Sequence, residues 1–201
     1  MLLFPAFLKL ASRRCLVVGA GRVAEEKVEG LLHAQADVCV VAPSATRRIR
    51  AWARAGKIRW KARTFRSSDL VDAFLIVAAS SSPRLHAQIY NQAARRGILC
   101  NVVDDPEHCD FYYGAIVRRG SLQIAISTGG LSPALSQRIR KQLEREFGPE
   151  YEGWLKEIGN IRQQLLAKPG SVARRKALLH GLASETSLDR FRRKSKGKRS
   201  G

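Results

Sequence analysis

Acidic residues are scarce in this chain: 17 Asp and Glu stand against 36 Lys and Arg in 201 residues, a formal net charge of +19. An excess of that size favours anionic partners, either nucleic acid or a small polycarboxylate. Long apolar runs are missing too. None approaches the ~20 residues of a membrane span. The apolar start, MLLFPAFLKL, has neither a basic leader nor a small-residue cleavage site, so it reads as the first piece of the fold rather than a signal peptide. Cys15, Cys39, Cys100 and Cys109 include no C-x-x-C pair. Three of them fall in expected strands as small apolar side chains, and this usage suits a reducing cytoplasm. The histidines, His33, His86, His108 and His180, lack metal-ligand spacing and read as surface or satisfied side chains. No solenoid-type repeat is present.

What the chain does have is enough apolar material for a core. Hydrophobic residues make up 45% of it, over a length that suits one α/β domain and a smaller appendage. Part of the positive charge is concentrated in RFRRKSKGKR, Arg190 to Arg199, with seven basic residues and no acidic one; the remainder keeps 29 basic against 17 acidic residues, or +12. The run reads as a solvated, disordered tail. Without a helix-turn-helix or a basic patch interleaved with aromatics, nucleic acid is disfavoured as the partner.

Short apolar runs alternate with helical patterns, which predicts a parallel sheet with crossover helices. Strands are expected at Cys15–Val18, Asp37–Pro43, Lys57–Ala62, Phe74–Ala79 and Ile98–Val103. Helices are expected at Val23–His33, Thr46–Ala55 and from Pro83 to near Gly97, Pro83 suiting a first helical turn. Beyond Asp105 the pattern changes. AIVRRGSLQIAIS, Ala115 to Ser127, reads as a hairpin around Arg119-Gly120-Ser121. Ser132 and Pro133 then open a helix that Gly148-Pro149 closes. Tyr151 to about Leu188 is helical in pattern and holds no strand.

Gly19-Ala20-Gly21-Arg22-Val23-Ala24 matches G-x-G-x-x-A directly after a strand and at the start of a helix. The first glycine makes the turn, the second lets backbone approach a pyrophosphate, and the small third residue lets helix and strand pack closely. The phosphates would meet the amides of the helix opening near Arg22. No Asp or Glu ends the second strand, where one normally binds the ribose of NAD; Val41-Ala42-Pro43-Ser44 stands there instead. Arg47 and Arg48 follow, as solvated helix residues or as partners for a 2′-phosphate. On these grounds NAD and NADP both remain open.

Ligands of such Rossmann-type sheets bind beyond the carboxyl ends of the strands. Asn101-Val102-Val103-Asp104-Asp105-Pro106 arrives there with an acid directly after apolar residues, where partial desolvation would suit a general base. Ser127-Thr128-Gly129-Gly130 places hydroxyls and flexible backbone before a helix, a combination suited to a carboxylate. Taken singly, each is also an ordinary turn or loop; together with the glycine turn they point to one cleft. His108 is the histidine nearest to it in sequence.

Phe4-Pro5 with Leu8, CLVVGAGRVAEEKV, VVAP, CNVVDDP and FYYGAIVRRGSLQIAISTGGLSPALSQRIR occur in the order and spacing of one family over about Leu3 to Gln142. The chain resembles precorrin-2 dehydrogenase, which also forms the N-terminal part of siroheme synthase. It stops without the fused enzyme's methyltransferase domain and so looks like the stand-alone form. The resemblance implies an NAD-binding Rossmann domain over 1–112 and a dimerisation region of exchanged strands over 113–149, hence a homodimer. A helical domain over 150–188 and the basic tail over 189–201 would follow.

The implied reaction is NAD-dependent oxidation of precorrin-2 to sirohydrochlorin. Asp104 would be the general base, and Gly19, Gly21, Arg22, Val23, Pro43 and Ser44 would lie against the cofactor. Asn101, Ser127, Thr128, Gly129 and Gly130 would meet the substrate, Thr128 keeping the hydroxyl of the serine found in some relatives. The family's VVAP strand end also accounts for the missing ribose acid and favours NAD. Some members insert Fe2+ into sirohydrochlorin, with the same aspartate accepting pyrrole protons. Eight carboxylates on precorrin-2 fit the +12 that remains without the tail. An NAD-sensing regulatory module without catalysis is the competing reading.

Overall fold

The computed structural model describes residues 2–167 and 170–197. The chain divides into two compact units, the first ending at Tyr113 and the second beginning at Gly114.

In the first unit five parallel strands, β1 (Arg14–Val18), β2 (Asp37–Val41), β3 (Arg59–Lys61), β4 (Leu75–Ala78) and β5 (Leu99–Val102), lie in the order β3-β2-β1-β4-β5. Helices α1 (Arg22–His33), α2 (Arg47–Arg54) and α3 (Pro83–Ala94) make the crossovers. Both faces of the sheet are covered, so its strands are apolar at consecutive positions rather than at alternate ones. Side chains still alternate between faces. Cys15, Val17, Val38, Val40 and Val77 pack with Ala24, Val28 and Leu31 of α1. Leu16, Val18, Cys39, Ile76, Cys100 and Val102 pack on the other face with Ile89 and Ala93 of α3. Thr46 and Ser82 cap α2 and α3, their hydroxyls accepting from the amides of Ile49 and Leu85 at 3.3 Å each.

Between β3 and β4, a stretch for which the sequence suggests no element, Ser67–Leu70 forms a 3-10 turn around a buried carboxylate. Asp69 is wholly enclosed. It accepts from Lys61 Nζ at 2.8 Å, from Arg63 at 2.6 and 2.8 Å, and from the Arg66 amide at 3.0 Å. The Arg63 guanidinium holds its carboxyl far below the usual carboxylate range, with Lys61 and the Arg66 amide adding to the effect.

The start of the chain departs from expectation. Residues 2–9 form no regular element, and Leu2, Phe4 and Phe7 are exposed. Leu10 is the first side chain in the core, because the chain joins the sheet only where Ser12 donates to the Gln35 carbonyl and Asp37 to that of Arg13. His86 also departs from it: the ring is buried on α3, and its Nε2 has no partner among the described residues.

The second unit opens with an antiparallel hairpin of β6 (Ala115–Arg119) and β7 (Leu122–Ile126) around Gly120-Ser121. It continues through α4 (Pro133–Glu146), α5 (Glu150–Ala167), α6 (Val172–Leu182) and α7 (Glu185–Gly197). A lone hairpin cannot bury its apolar face. Here Arg119 donates to the carbonyls of Phe147 and Glu144 at the end of α4, and the Gly120 turn closes on the Glu152 side chain of α5. The hairpin and the helices that the sequence separates at 149/150 are therefore parts of one unit.

The tail expected to be disordered from 189 onward is helical as far as Gly197; residues 198–201 lie outside the described residues. Packing explains the difference. Leu188 is buried, the Phe191 ring reaches the space beside Gly153, and Ser187 accepts from Trp154 Nε1 at 3.3 Å. Arg192 pairs with Glu150 at 2.6 Å and Lys194 with Glu157 at 3.4 Å, so part of the basic run is held against α5.

Candidate active site

Strand β1 sits between β2 and β4, and the chain order reverses direction across β1 and β4; that is where open parallel sheets leave a crevice beyond their carboxyl ends. Gly19 leaves β1 at φ +112°, donating to the Val41 carbonyl at 3.0 Å. A Cβ there would stand 2.3 Å from the Ala79 carbonyl oxygen. The first glycine thus lets the loops after β1 and β4 touch. Gly21 is different: a Cβ on it would meet nothing within 4 Å, so its surface faces open space.

Gly21 is also the N-cap of α1, and no side chain caps that helix end. The amides of the first turn and the positive end of the helix dipole are therefore left to a ligand, and an anion such as a pyrophosphate fits them. Arg22 and Val23 are exposed on that turn, Val23 leaving 44% of its apolar surface open. Pro43 and Ser44 are exposed at the end of β2, and the loop they start is tied to the glycine turn by Thr46, whose amide donates to the Ala20 carbonyl at 3.1 Å. Of the two arginines that could meet a 2′-phosphate, Arg48 is engaged elsewhere: it pairs with Glu29 and stacks 4.6 Å from the Trp52 ring centroid.

After β5 the chain turns sharply. Asp104 adopts left-handed backbone at φ +61° and is exposed. The desolvation expected from its apolar neighbours is thus absent within this unit, because the left-handed residue carries the side chain out of the strand. The loop then folds back. The Cys100 amide donates to the Asp110 carboxylate at 2.9 Å, and Asn101 bridges to Cys109. Asn101, expected at the substrate, is buried with its Nδ2 given to the Phe111 carbonyl at 2.9 Å and the Cys109 sulfur at 3.3 Å. Its role in this unit is to clip the loop. The Cys109 thiol sits 3.2 Å from the carbonyls of Val102 and Asp105, and burial pushes it up from its ordinary pKa. His108 bonds through Nδ1 to Asp105 at 2.7 Å and stacks edge-on with Tyr90.

One further residue belongs to this side of the sheet. Lys27 of α1 is half-buried, its ammonium 4.0 Å from the centroid of the Tyr113 ring. The helical pattern carries a signal for it: Ala24, Val28 and Leu31 form the buried stripe of α1, and Lys27 flanks that stripe at helical spacing.

In the second unit the Ser127–Gly130 loop is held by its own hydroxyls. The Gly129 amide donates to Ser127 Oγ at 3.1 Å, and the Ser132 amide to Thr128 Oγ1 at 3.1 Å. Thr128 Oγ1 also lies 3.2 Å from Ser136 Oγ. Gly129 and Gly130 have φ of +62° and +83°, with open space where side chains would stand. Just after them Ser132 caps α4 by accepting from the Leu135 amide at 3.2 Å. Among the described residues no group of three or more His, Cys, Asp and Glu side chains is placed to hold a metal ion.

Residues 6–115 match the family model described as "Putative NAD(P)-binding", and residues 119–146 match that of the sirohaem biosynthesis protein central region. Siroheme synthase 1 of Aeromonas hydrophila is 37% identical over 173 residues, covering 86% of this chain and 37% of its own length. Siroheme synthase of Nitrosococcus oceani is 35% identical over 186 residues, covering 85% and 40%. The chain thus spans about two fifths of the length of these curated relatives. A solved structure titled SirC, precorrin-2 dehydrogenase, superposes with a TM-score of 0.77 at 27% identity, over 96% of this chain and 98% of that one.

Proposed function

The chain belongs to the NAD(P)-binding family matched by residues 6–115, and on that premise we propose that it oxidises precorrin-2 to sirohydrochlorin with NAD+ in siroheme biosynthesis. The observation that carries this reading is the likeness to a precorrin-2 dehydrogenase over nearly the whole of both chains. NAD+ would supply the hydride acceptor at the crevice. The α1 amides beyond Gly21 would hold its pyrophosphate, with Arg22, Val23, Pro43 and Ser44 as its further contacts. Arg48 is already paired with Glu29, which leaves one cation fewer for a 2′-phosphate, and the VVAP strand end shared with the family favours NAD over NADP.

Substrate oxidation also releases a proton. Asp104, exposed at the end of β5, takes it on a carboxylate oxygen. The Ser127–Gly130 loop offers hydroxyls and open glycine backbone to a substrate carboxylate, and the basic surface attracts the polyanion.

The two-stranded β6–β7 sheet leaves strand edges without partners in the described chain, which supports a homodimer as the working state. No helix among the described residues is long and apolar enough to cross a membrane, and a cytoplasmic enzyme is the reading that fits its biosynthetic role. Incubation with precorrin-2 and NAD+ should give NADH and sirohydrochlorin in equal amounts; formation of neither, with NAD+ or NADP+, would remove the proposal. Fe2+ added to the product mixture tests metal insertion in the same vessel.

A further inference from the structure

Asp104 stands at the third position of a tight turn. The Asp105 amide donates to the Val102 carbonyl at 3.3 Å, closing the turn over Val103 and Asp104, and Asp104 takes φ +61°. Such a position favours Gly or Asn, and another residue persists there only where its surroundings over-determine the backbone. The Cys109 side chain reaches both ends of the turn. Its sulfur lies 3.3 Å from the Val102 amide and 3.2 Å from the carbonyls of Val102 and Asp105, and it accepts from Asn101 Nδ2 at 3.3 Å. Strand β5 is at the edge of the sheet, and its Val102 amide finds in this sulfur the acceptor that a neighbouring strand would otherwise supply.

We propose that Cys109 is a positioning residue for Asp104: its sulfur staples the two ends of the turn after β5, holds Asp104 in left-handed backbone and so carries the carboxylate out of the strand end. This rests on the assignment of Asp104 as the base. A thiol has one hydrogen to give and a sulfur that accepts, which suits two N–H donors and two carbonyls, the hydrogen going to one carbonyl at a time. Burial pushes the thiol up from its ordinary pKa, so that hydrogen is kept at neutral pH. The other bonds of the loop fall to one side of the turn. His108 meets Asp105 through its amide and its ring, and Asp110 accepts from the Cys100 amide. A serine hydroxyl offers the same donor and acceptor at shorter reach, whereas an alanine leaves the Val102 amide without its acceptor.

The test uses the full chain with Cys109→Ala and Cys109→Ser. Cys109→Ala should lower kcat on the order of tenfold or more while KM for NAD+ stays within about twofold, and Cys109→Ser should restore most of the loss. By NMR, the coupling between the Asp104 amide and Hα, which reports φ, should change in Cys109→Ala and stay near its original value in Cys109→Ser. Full kcat or an unchanged coupling in Cys109→Ala overturns the proposal, since a cysteine that only fills space would cost stability and move neither. A further check needs no variant to fold: in the unaltered chain the Val102 amide should be protected from hydrogen exchange, and free exchange there also overturns the proposal. If the unaltered chain does not oxidise precorrin-2 but the coupling changes in Cys109→Ala, the staple stands and the reaction assigned above falls.

Discussion

Gly19 lies against Ala79: a Cβ on Gly19 would come within 2.3 Å of the Ala79 carbonyl oxygen, in backbone already at φ +112°. Gly21, two residues on, faces open space at φ −82°. The two glycines of one motif therefore do different work. Gly19→Ala should destabilise the first unit, because rigid backbone must give way and the left-handed conformation is lost to the new residue. Gly21→Ala should cost about 1 kcal/mol of stability, the penalty of alanine at an N-cap, and less than Gly19→Ala. Its effect should fall on NAD+ affinity, by at least tenfold in calorimetry. Equal loss of stability in both variants would contradict this division.

The Asp69 cluster predicts a pH dependence. Its carboxyl is held below the ordinary value of 3.8 by Arg63 and Lys61, so its contribution is complete above that value and is lost as pH falls below it toward the folded-state value. Asp69→Asn should cost about 3 kcal/mol at neutral pH, since it leaves two cations without their buried partner. The variant should also show a flatter stability–pH curve below pH ~4, measured by urea denaturation.

All four thiols should resist alkylation in the native chain. Burial raises Cys15 to about 11 and Cys100 to about 12, and it moves Cys39 and Cys109 in the same direction. Little thiolate exists at neutral pH to react. Iodoacetamide followed by mass spectrometry should label them only after unfolding; rapid native labelling of Cys109 would show that the loop after β5 opens.

Phe191→Ala should destabilise the second unit by about 1–2 kcal/mol, less than a fully buried phenylalanine would, because the ring is half-buried beside Gly153. Helix content by circular dichroism and the urea midpoint measure it. No change would mean that α7 does not rest on α5 in solution.

The sheet and its glycine turn were legible because both depend on local signals. Continuous apolar runs mark strands buried on two faces, and Ser82-Pro83 and Ser132-Pro133 mark helix starts. The 3-10 turn at Asp69 was not legible. Its cause is a carboxylate buried among cations from β3 and the loop after it, which no periodicity records. The partners of Asn101 were not legible for a related reason: Cys109 and Phe111 come from the returning loop, which its position at a strand end does not record. Charge density made RFRRKSKGKR look solvated, and only the α5 contacts of Phe191, Arg192 and Lys194 show why most of it is helical.

The most direct measurement is the initial rate of NADH formation from precorrin-2 and NAD+, in the unaltered chain and in Asp104→Ala, with NAD+ binding measured on both. The account predicts turnover in the first, loss of at least a hundredfold in the second, and equal NAD+ affinity in the two. Undiminished oxidation in Asp104→Ala, or no oxidation by a chain that binds NAD+, would contradict it.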